Sequence, residues 1–290
     1  MSQAIIAPIS PRRRRTDKVM RAVMGASTVI ALVPLVLILY YLFIKATDAW
    51  STDFFTTDPT GNFLGNPGGI KSAILGTIAI VAIATAIAVP IGIGVALYLT
   101  EYGKTGRFAA VIRYFIDVMT GVPSIVFGLF IYIVLVLANS GGSGFAGWKG
   151  SVALALLMLP VITRAAEVVL TLVPDSLREG ALALGAPRWR VVARIVLPTA
   201  LPGLITGVLL AIARAAGETA PLLYTATLVN GTTFNLNGPM NSLPAQIFSD
   251  VGQAQSNLQA RAWGAATTLV VMILVLTTVA RIVSRRSRLT

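Results

Sequence analysis

The sequence predicts an all-α, polytopic membrane protein, a bundle of six transmembrane helices. Three observations carry that prediction. The chain is 56% hydrophobic and 12% charged with a mean hydropathy of +0.81, more apolar surface than a water-soluble domain of 290 residues needs. Six stretches are long and apolar enough to cross about 30 Å of hydrocarbon as helices, near 22–45, 71–99, 112–138, 150–173, 200–228 and 262–283. Lys and Arg collect in alternate connections: Arg12 to Arg15, Lys18 and Arg21 before the first span, and Lys104, Arg107 and Arg113 between the second and third. The series continues with Arg164, Arg178, Arg188, Arg190 and Arg194 around the fourth connection, and Arg281, Arg285, Arg286 and Arg288 at the end. The other connections hold mostly Asp48, Asp53, Asp58 and Asp250. This alternation places both termini in the cytoplasm.

The same composition excludes several chemistries. With no cysteine and no histidine, the chain has no structural disulfide, no Cys/His zinc or haem site, and no catalytic thiol or imidazole. Its few carboxylates are scattered, so paired acid–base hydrolysis is not expected. The net charge of +12 follows the topology pattern, and nucleic acid is not an expected partner. The Gly-Lys-Thr of "YGKTG" at 102–106 is not a phosphate loop, because Tyr98 stands where the first glycine belongs and a membrane helix precedes it.

In chain order, residues 1–21 form a basic cytoplasmic tail, polar and disordered over 1–18. The first span, 22–45, is a retained helix; its apolar run is about twice that of a signal peptide and "VLILYYLFIK" offers no cleavage site. The outer connection 46–70 carries the turn cluster "NPGG". In the second span Pro90 should introduce a kink, and the glycines of "GIGVALYLTEY" allow close helix approach. The segment "IRYFIDVMTGVPSIVFGLF" reads as an interfacial piece that turns at Gly121 to Ser124 into the third span, with Asp117 a polar partner near the surface. Connection 139–149 is a flexible outer loop with an interfacial Trp148, and "LPAQIF" in connection 229–261 is a short amphipathic helix lying at the outer surface. A tail at 284–290 closes the permease core of 71–283.

The cytoplasmic loop 174–198 reads "PDSLREGALALGAPRWRVVARIVLP". Pro174 suits the first helical position and Asp175 the positive end of the dipole. Leu177, Ala181 and Leu184 make an apolar stripe, Gly185 suits a left-handed stop, and Pro187 follows. A second helix from Pro187 leads to Leu197 and back into the membrane at Pro198. The stripe packs either on the protein's own helix ends or in a groove of a cytosolic partner, and spacing leaves both open.

Glu179, Gly180, Ala181, then Gly185, then Ile195, Leu197 and Pro198 resemble the EAA loop of ATP-binding-cassette importer permeases, with Gly180 replacing the first alanine. That family implies a type I importer (MetI-like) architecture, in which this loop is the coupling helix that docks on an ATPase. "PIGIGVALYLTEY", "TGVPSIVFGLF", "RAAGETAPLLYTA" and "LPAQIF" narrow the resemblance to the PstA-type permeases of bacterial phosphate importers, over residues 71–283. The resemblance implies a multi-pass plasma-membrane protein partnered by a homologous PstC-like permease, a PstB-like ATPase dimer and a PstS-like phosphate-binding protein. It implies no cofactor bound by this chain and no reaction of its own; ATP and Mg belong to the ATPase. Permeases of sulfate or molybdate importers are the nearest alternative, and an ion-coupled secondary carrier a more distant one.

Within the fifth span stand Arg214 and Glu218, with Thr219 beside them. A charge at mid-bilayer is costly, so such residues face protein or water. Spacing puts both charges on one helix face. They form either a buried structural pair or, as the resemblance suggests, an anion pathway in which Arg214 attracts phosphate and Glu218 keeps it from being trapped. Gly203 and Gly207 on the same helix offer a small-residue face for a sister subunit or for this chain.

Overall fold

Helix α1, Pro11–Ala46, starts where the sequence supplies a cap rather than where the apolar run begins. Ser10 accepts a hydrogen bond from the Arg13 amide and Pro11 takes the first helical position. The tail expected to be disordered is therefore helical from residue 11, since arginine is a good helix former and nothing interrupts the run. The computed structural model describes residues 10–62, 65–103, 106–138 and 144–286, with side chains as far as residue 282. Residues 1–9 of the tail, Phe63 and Leu64 of the outer connection, Lys104 and Thr105, the loop residues 139–143, and 287–290 of the C-terminal tail lie outside the described residues.

Beyond α1, a capped turn of helix α2 (Thr52–Thr56) drives Phe54 into the bundle. Pro59 bridges to Gly68 in a left-handed turn conformation, so the "NPGG" cluster does make the expected turn. Asp58 then ties this loop to the later outer connection, accepting from the Thr232 hydroxyl at 2.6 Å and amide at 2.8 Å. Burial works against that charge, but the Thr232 hydrogen bonds, with Lys71 and the Ser72 backbone, outweigh it and hold the carboxyl below its usual range.

Helix α3 (Lys71–Leu97) ends in a π-helical turn, Tyr98–Tyr102, and passes Pro90 unbroken. It packs along α6 (Gly147–Thr171), where Ile80, Ala84, Leu154, Met158 and Ile162 form the centre of the core. Gly92 lies against Ile162. The expected third span is two helices: α4 (Arg107–Gly121) and α5 (Ser124–Ile131), the latter extended by a π turn at Tyr132–Val136, meet at 103°. Pro123 holds Val122 extended, which breaks the helix at the turn read from the sequence. Trp148, expected in the flexible loop, instead belongs to the first turn of α6.

Helix α7 (Asp175–Ala183) follows α6; then α8 (Arg188–Val191), a π turn (Val192–Val196) and α9 (Leu197–Ala216) form one rod. The second loop helix thus continues into the membrane span without a break at Pro198. The fifth span itself is shorter than the expected 200–228, because α9 stops at Ala216 and a separate helix, α10, covers Ala220–Thr225. Helix α11 (Leu243–Val251) forms at "LPAQIF" as expected, with Phe248 and Val251 exposed and the other face, Leu243, Ala245, Gln246 and Asp250, buried against the bundle. Helix α12 spans Ser256–Arg286, and the end of α1 packs on its start, with Tyr41 edge-on to Trp263 at 5.2 Å. Among the described residues five rods are long and apolar enough to cross a membrane, and the bent α4–α5 pair makes a sixth.

Candidate functional site

Two places stand out, one at each end of α9. The first is the 174–198 loop. Pro174 caps α7 one position earlier than the sequence suggested, and Asp175 opens the helix. Gly185 adopts φ +80°; its amide donates to the Leu182 carbonyl at 2.9 Å and the Ala186 amide to Ala181 at 3.2 Å. These two bonds are the paired reverse contacts that close a helix on a left-handed residue, as the sequence predicted.

The expected apolar stripe is divided by the rotation of α7. Ala181 turns inward and packs with Leu170, Val173, Val191 and Val196. Leu184 points out, 90% exposed, as do Leu177, Leu182 and Trp189. The inward half packs on this protein's own helices, and the outward half is exposed. Glu179 is exposed, Ile195 and Leu197 are half-buried and Pro198 is exposed. Open space surrounds Gly180, and nothing in the structure explains a glycine there. The π turn before Pro198 is where the rod absorbs a residue that has no N–H for the Arg194 carbonyl.

What fixes the loop to the bundle is Arg178, which the sequence marked only as one of a basic cluster. Its guanidinium meets Glu101 Oε1 at 2.9 Å and donates to the Leu170 and Val173 carbonyls at the end of α6, at 2.9 and 2.5 Å. Both charged side chains are about nine-tenths buried. A guanidinium at the negative end of α6 both pairs a carboxylate and satisfies orphan carbonyls. The one sequence signal was Glu101, an acid on a basic side. A cleft of roughly 660 Å³ opens beside this contact, between Glu101, Tyr102, Glu179, Leu182 and Arg188.

The second place is the break after α9. Gly217 ends the helix, its amide reaching only to the Arg214 carbonyl, and Thr219 caps α10. Glu218 therefore lies outside the helix and does not share a helical face with Arg214. Their nearest approach, Nε to Oε1, is 3.7 Å, too long for a hydrogen bond. Arg214 is also not buried: its side chain is 56% exposed against 16% for Glu218. The buried-pair reading is thus corrected, because the chain unwinds between the two residues. Arg214 instead ends an uncovered stripe of α9 with Thr206 and Leu210. Beside this stripe, at helical spacing from Leu210 and Arg214, Gly203 lies against Val169 and Gly207 against Ala165, so the small residues pack within this chain.

The second discontinuity of the bundle is brought to the first. Gly128 of α5, just past the 103° bend, lies so close to Pro221 of α10 that a Cβ there would come within 2.6 Å of the Pro221 Cα. Unwound backbone at membrane depth is tolerated only where protein or a polar cavity surrounds it, and paired broken helices are the usual frame of a transport site.

Several other charges hold the bundle together. Arg113 and Arg164 hold Glu167 at 2.8 and 2.6 Å, and Arg164 also holds Asp117, clamping α4 to α6. Asp117 is thus the polar partner expected of it. Arg261 grips Asp250 through two bonds at 2.7 and 2.9 Å, with Gln246 and Asn241 completing the chain of contacts. Lys149, 2% exposed, donates to the Leu135 and Gly144 carbonyls at the end of the bent span.

Residues 88–289 match the family of binding-protein-dependent transport system inner membrane components. The chain is 39% identical over 270 residues to the phosphate transport system permease protein PstA of Pasteurella multocida (strain Pm70), covering 93% of this chain and 95% of that one. It is 37% identical to the phosphate transport system permease protein PstA 1 of Mycobacterium tuberculosis (strain ATCC 25618 / H37Rv), covering 98% and 94%. Among solved structures, a bacterial ABC transporter involved in the import of the acidic polysaccharide alginate superposes with a TM-score of 0.66 at 17% identity, covering 94% of this chain and 96% of that one. An inward-facing MetNI methionine ABC transporter superposes with a TM-score of 0.60 at 18% identity, covering 76% and 94%. These two likenesses concern the fold.

Proposed function

The chain belongs to the binding-protein-dependent inner membrane components and, among them, to the PstA phosphate transport permeases, and on that premise we propose that it carries inorganic phosphate into the cell. It forms half of the pathway, with a homologous PstC-like permease forming the other half. Both termini face the cytoplasm, and a PstS-like binding protein delivers phosphate to the opposite side. The outward half of the loop, Leu182, Leu184 and Trp189 around Glu179, seats in a PstB-like ATPase dimer, which alone handles ATP and Mg. Movement of that seat passes through α8 and the π turn directly into α9, at whose far end Arg214 stands.

One observation supports the anion path above others. Arg113, Arg164, Arg178 and Arg261 each hold a carboxylate at 2.9 Å or less, whereas Arg214 has only Glu218 at 3.7 Å and leaves half its side chain uncovered. An arginine at membrane depth that its own chain pairs only loosely is suited to a mobile anion. Glu218 stands near enough to weaken the well without filling it, so phosphate is attracted and released. The Thr219 hydroxyl adds a neutral donor at the same break.

The test is phosphate uptake per assembled complex for Arg214→Gln, Glu218→Gln and the double variant, with sulfate and molybdate as competitors. The loose pair predicts normal assembly throughout. Removing Arg214 lowers uptake about tenfold or more, the scale of one charged hydrogen bond, and adding Glu218→Gln does not restore it. Wild-type uptake by the assembled double variant would falsify the role of Arg214.

A further inference from the structure

Helix α1 is 36 residues long, about 54 Å at 1.5 Å per residue, whereas the hydrocarbon core takes about 30 Å. Val19 and Met20 are its first apolar residues, ahead of the span that begins at residue 22, and measured from Val19 the helix from Pro11 to Lys18 projects about 12 Å toward the N-terminus. This projection carries Arg12, Arg13, Arg14, Arg15 and Lys18, with Arg21 half a turn inside, and every one of these side chains is exposed. Asp17 offsets only Arg21, at 2.8 Å, and no acidic residue stands in the first turn. Four arginines at the positive end of a helix repel both one another and the dipole, a cost that an external anion removes.

Geometry selects the anion. Arg14, Lys18 and Arg21 follow one another at helical spacing with Arg15 beside them, forming one basic stripe. The headgroup layer is about 5–7 Å deep on each side of the hydrocarbon. Along the axis, Lys18 and Arg15 lie about 1.5 and 6 Å beyond Val19, within the depth of that layer, whereas the side-chain tilt of a helix aims Arg12 to Arg14 toward its water-facing side. Arg12 to Lys18 are spread over about 9 Å of helix axis, so the arrangement fits a charged surface better than a single small anion. Arg281, exposed near the end of the antiparallel α12, adds to the same side. We propose that this helical extension is a docking surface for anionic phospholipid headgroups, holding the first span in the membrane in addition to orienting it.

Because the chain has no cysteine, Thr16→Cys supplies a unique site for a nitroxide label. The full-length protein is reconstituted in vesicles with a trace of nickel-chelating lipid, either wholly zwitterionic or with phosphatidylglycerol, and relaxation of the label by headgroup nickel is read. Contact with nickel should rise in phosphatidylglycerol vesicles and fall at high salt. The preference for anionic vesicles should drop about fivefold for each cation removed in R12Q/R13Q/R14Q/R15Q, and persist in R12K/R13K/R14K/R15K, which keeps the charge that sets topology. Equal relaxation in neutral and anionic vesicles would overturn the proposal. So would loss of the preference in the lysine variant, or inorganic phosphate at millimolar concentration reproducing the anionic-lipid signal in neutral vesicles.

Discussion

The guanidinium of Arg178 joins three elements, the π turn after α3, the end of α6 and the start of α7, and none of its contacts is visible as a motif. Glu101 lies 77 residues away in sequence. Replacing Arg178 with Met leaves Glu101 buried without its charge partner and strands the Leu170 and Val173 carbonyls. The expected loss is about 3–5 kcal/mol, seen as a lower thermal midpoint and faster proteolysis within 174–190. Adding Glu101→Gln should recover part of that loss, because it removes the stranded charge; no recovery would mean that the carbonyl contacts, not the ion pair, hold the loop. Arg214 differs in kind. Its presence at membrane depth was legible from hydropathy and residue type, but its exposure and its distance from Glu218 were not, since both depend on where α9 unwinds. A helix continued through Gly217 would have put the two charges together.

At the scale of elements, the broken spans meet at Gly128 against Pro221 and again where Tyr132 lies edge-on to Tyr224 at 6.2 Å. Gly128→Ala sets a Cβ 2.6 Å from the backbone of Pro221, which cannot rotate away, so α5 and α10 must separate. A cost of about 1–3 kcal/mol is expected, measured by thermal unfolding of the detergent-solubilised chain. Gly94→Ala is the control: nothing lies within 4 Å of its Cβ position, so it should be neutral or gain up to about 1 kcal/mol of helix propensity. Equal losses for the two would assign both to the glycine backbone and remove the α5–α10 contact from the account. Two helix ends were readable, since Val122–Pro123 and Gly185 act through local backbone chemistry where that chemistry places them, whereas the start at Ser10–Pro11 went unread because the basic tail was expected to be disordered. The burial of α11 was not readable, because its amphipathic pattern says that one face is covered without saying by what.

For the whole molecule, the charge alternation predicts which end of the bundle faces the cytoplasm. Reporter fusions at Leu184 should report cytoplasm and fusions at Asn237 the outside; a cytoplasmic signal at Asn237 would break the six-span path and move the docking loop to the wrong side. The pattern that makes this prediction treats every arginine as a free surface charge. In the folded chain Arg113, Arg164 and Arg178 are engaged in ion pairs that clamp helices together, while Arg12 to Arg15 remain exposed. The same residue type thus serves topology, packing and recognition, and only its neighbours separate the three.

By itself the sequence determined the class of the protein, the number and rough extent of its spans, the form of the 174–198 loop and the residues that carry the family resemblance. Those properties rest on hydropathy, on caps and on backbone preferences, all of which act within a few residues. Tertiary structure alone decided that Ala181 faces inward while Leu184 is exposed. It also decided that Gly203 and Gly207 pack on α6, and that Arg214 stands apart while Arg178 and Arg261 are locked to carboxylates. These outcomes depend on which helix faces meet across long sequence separations, and burial of a charge is worth its cost only when a partner arrives from elsewhere in the fold.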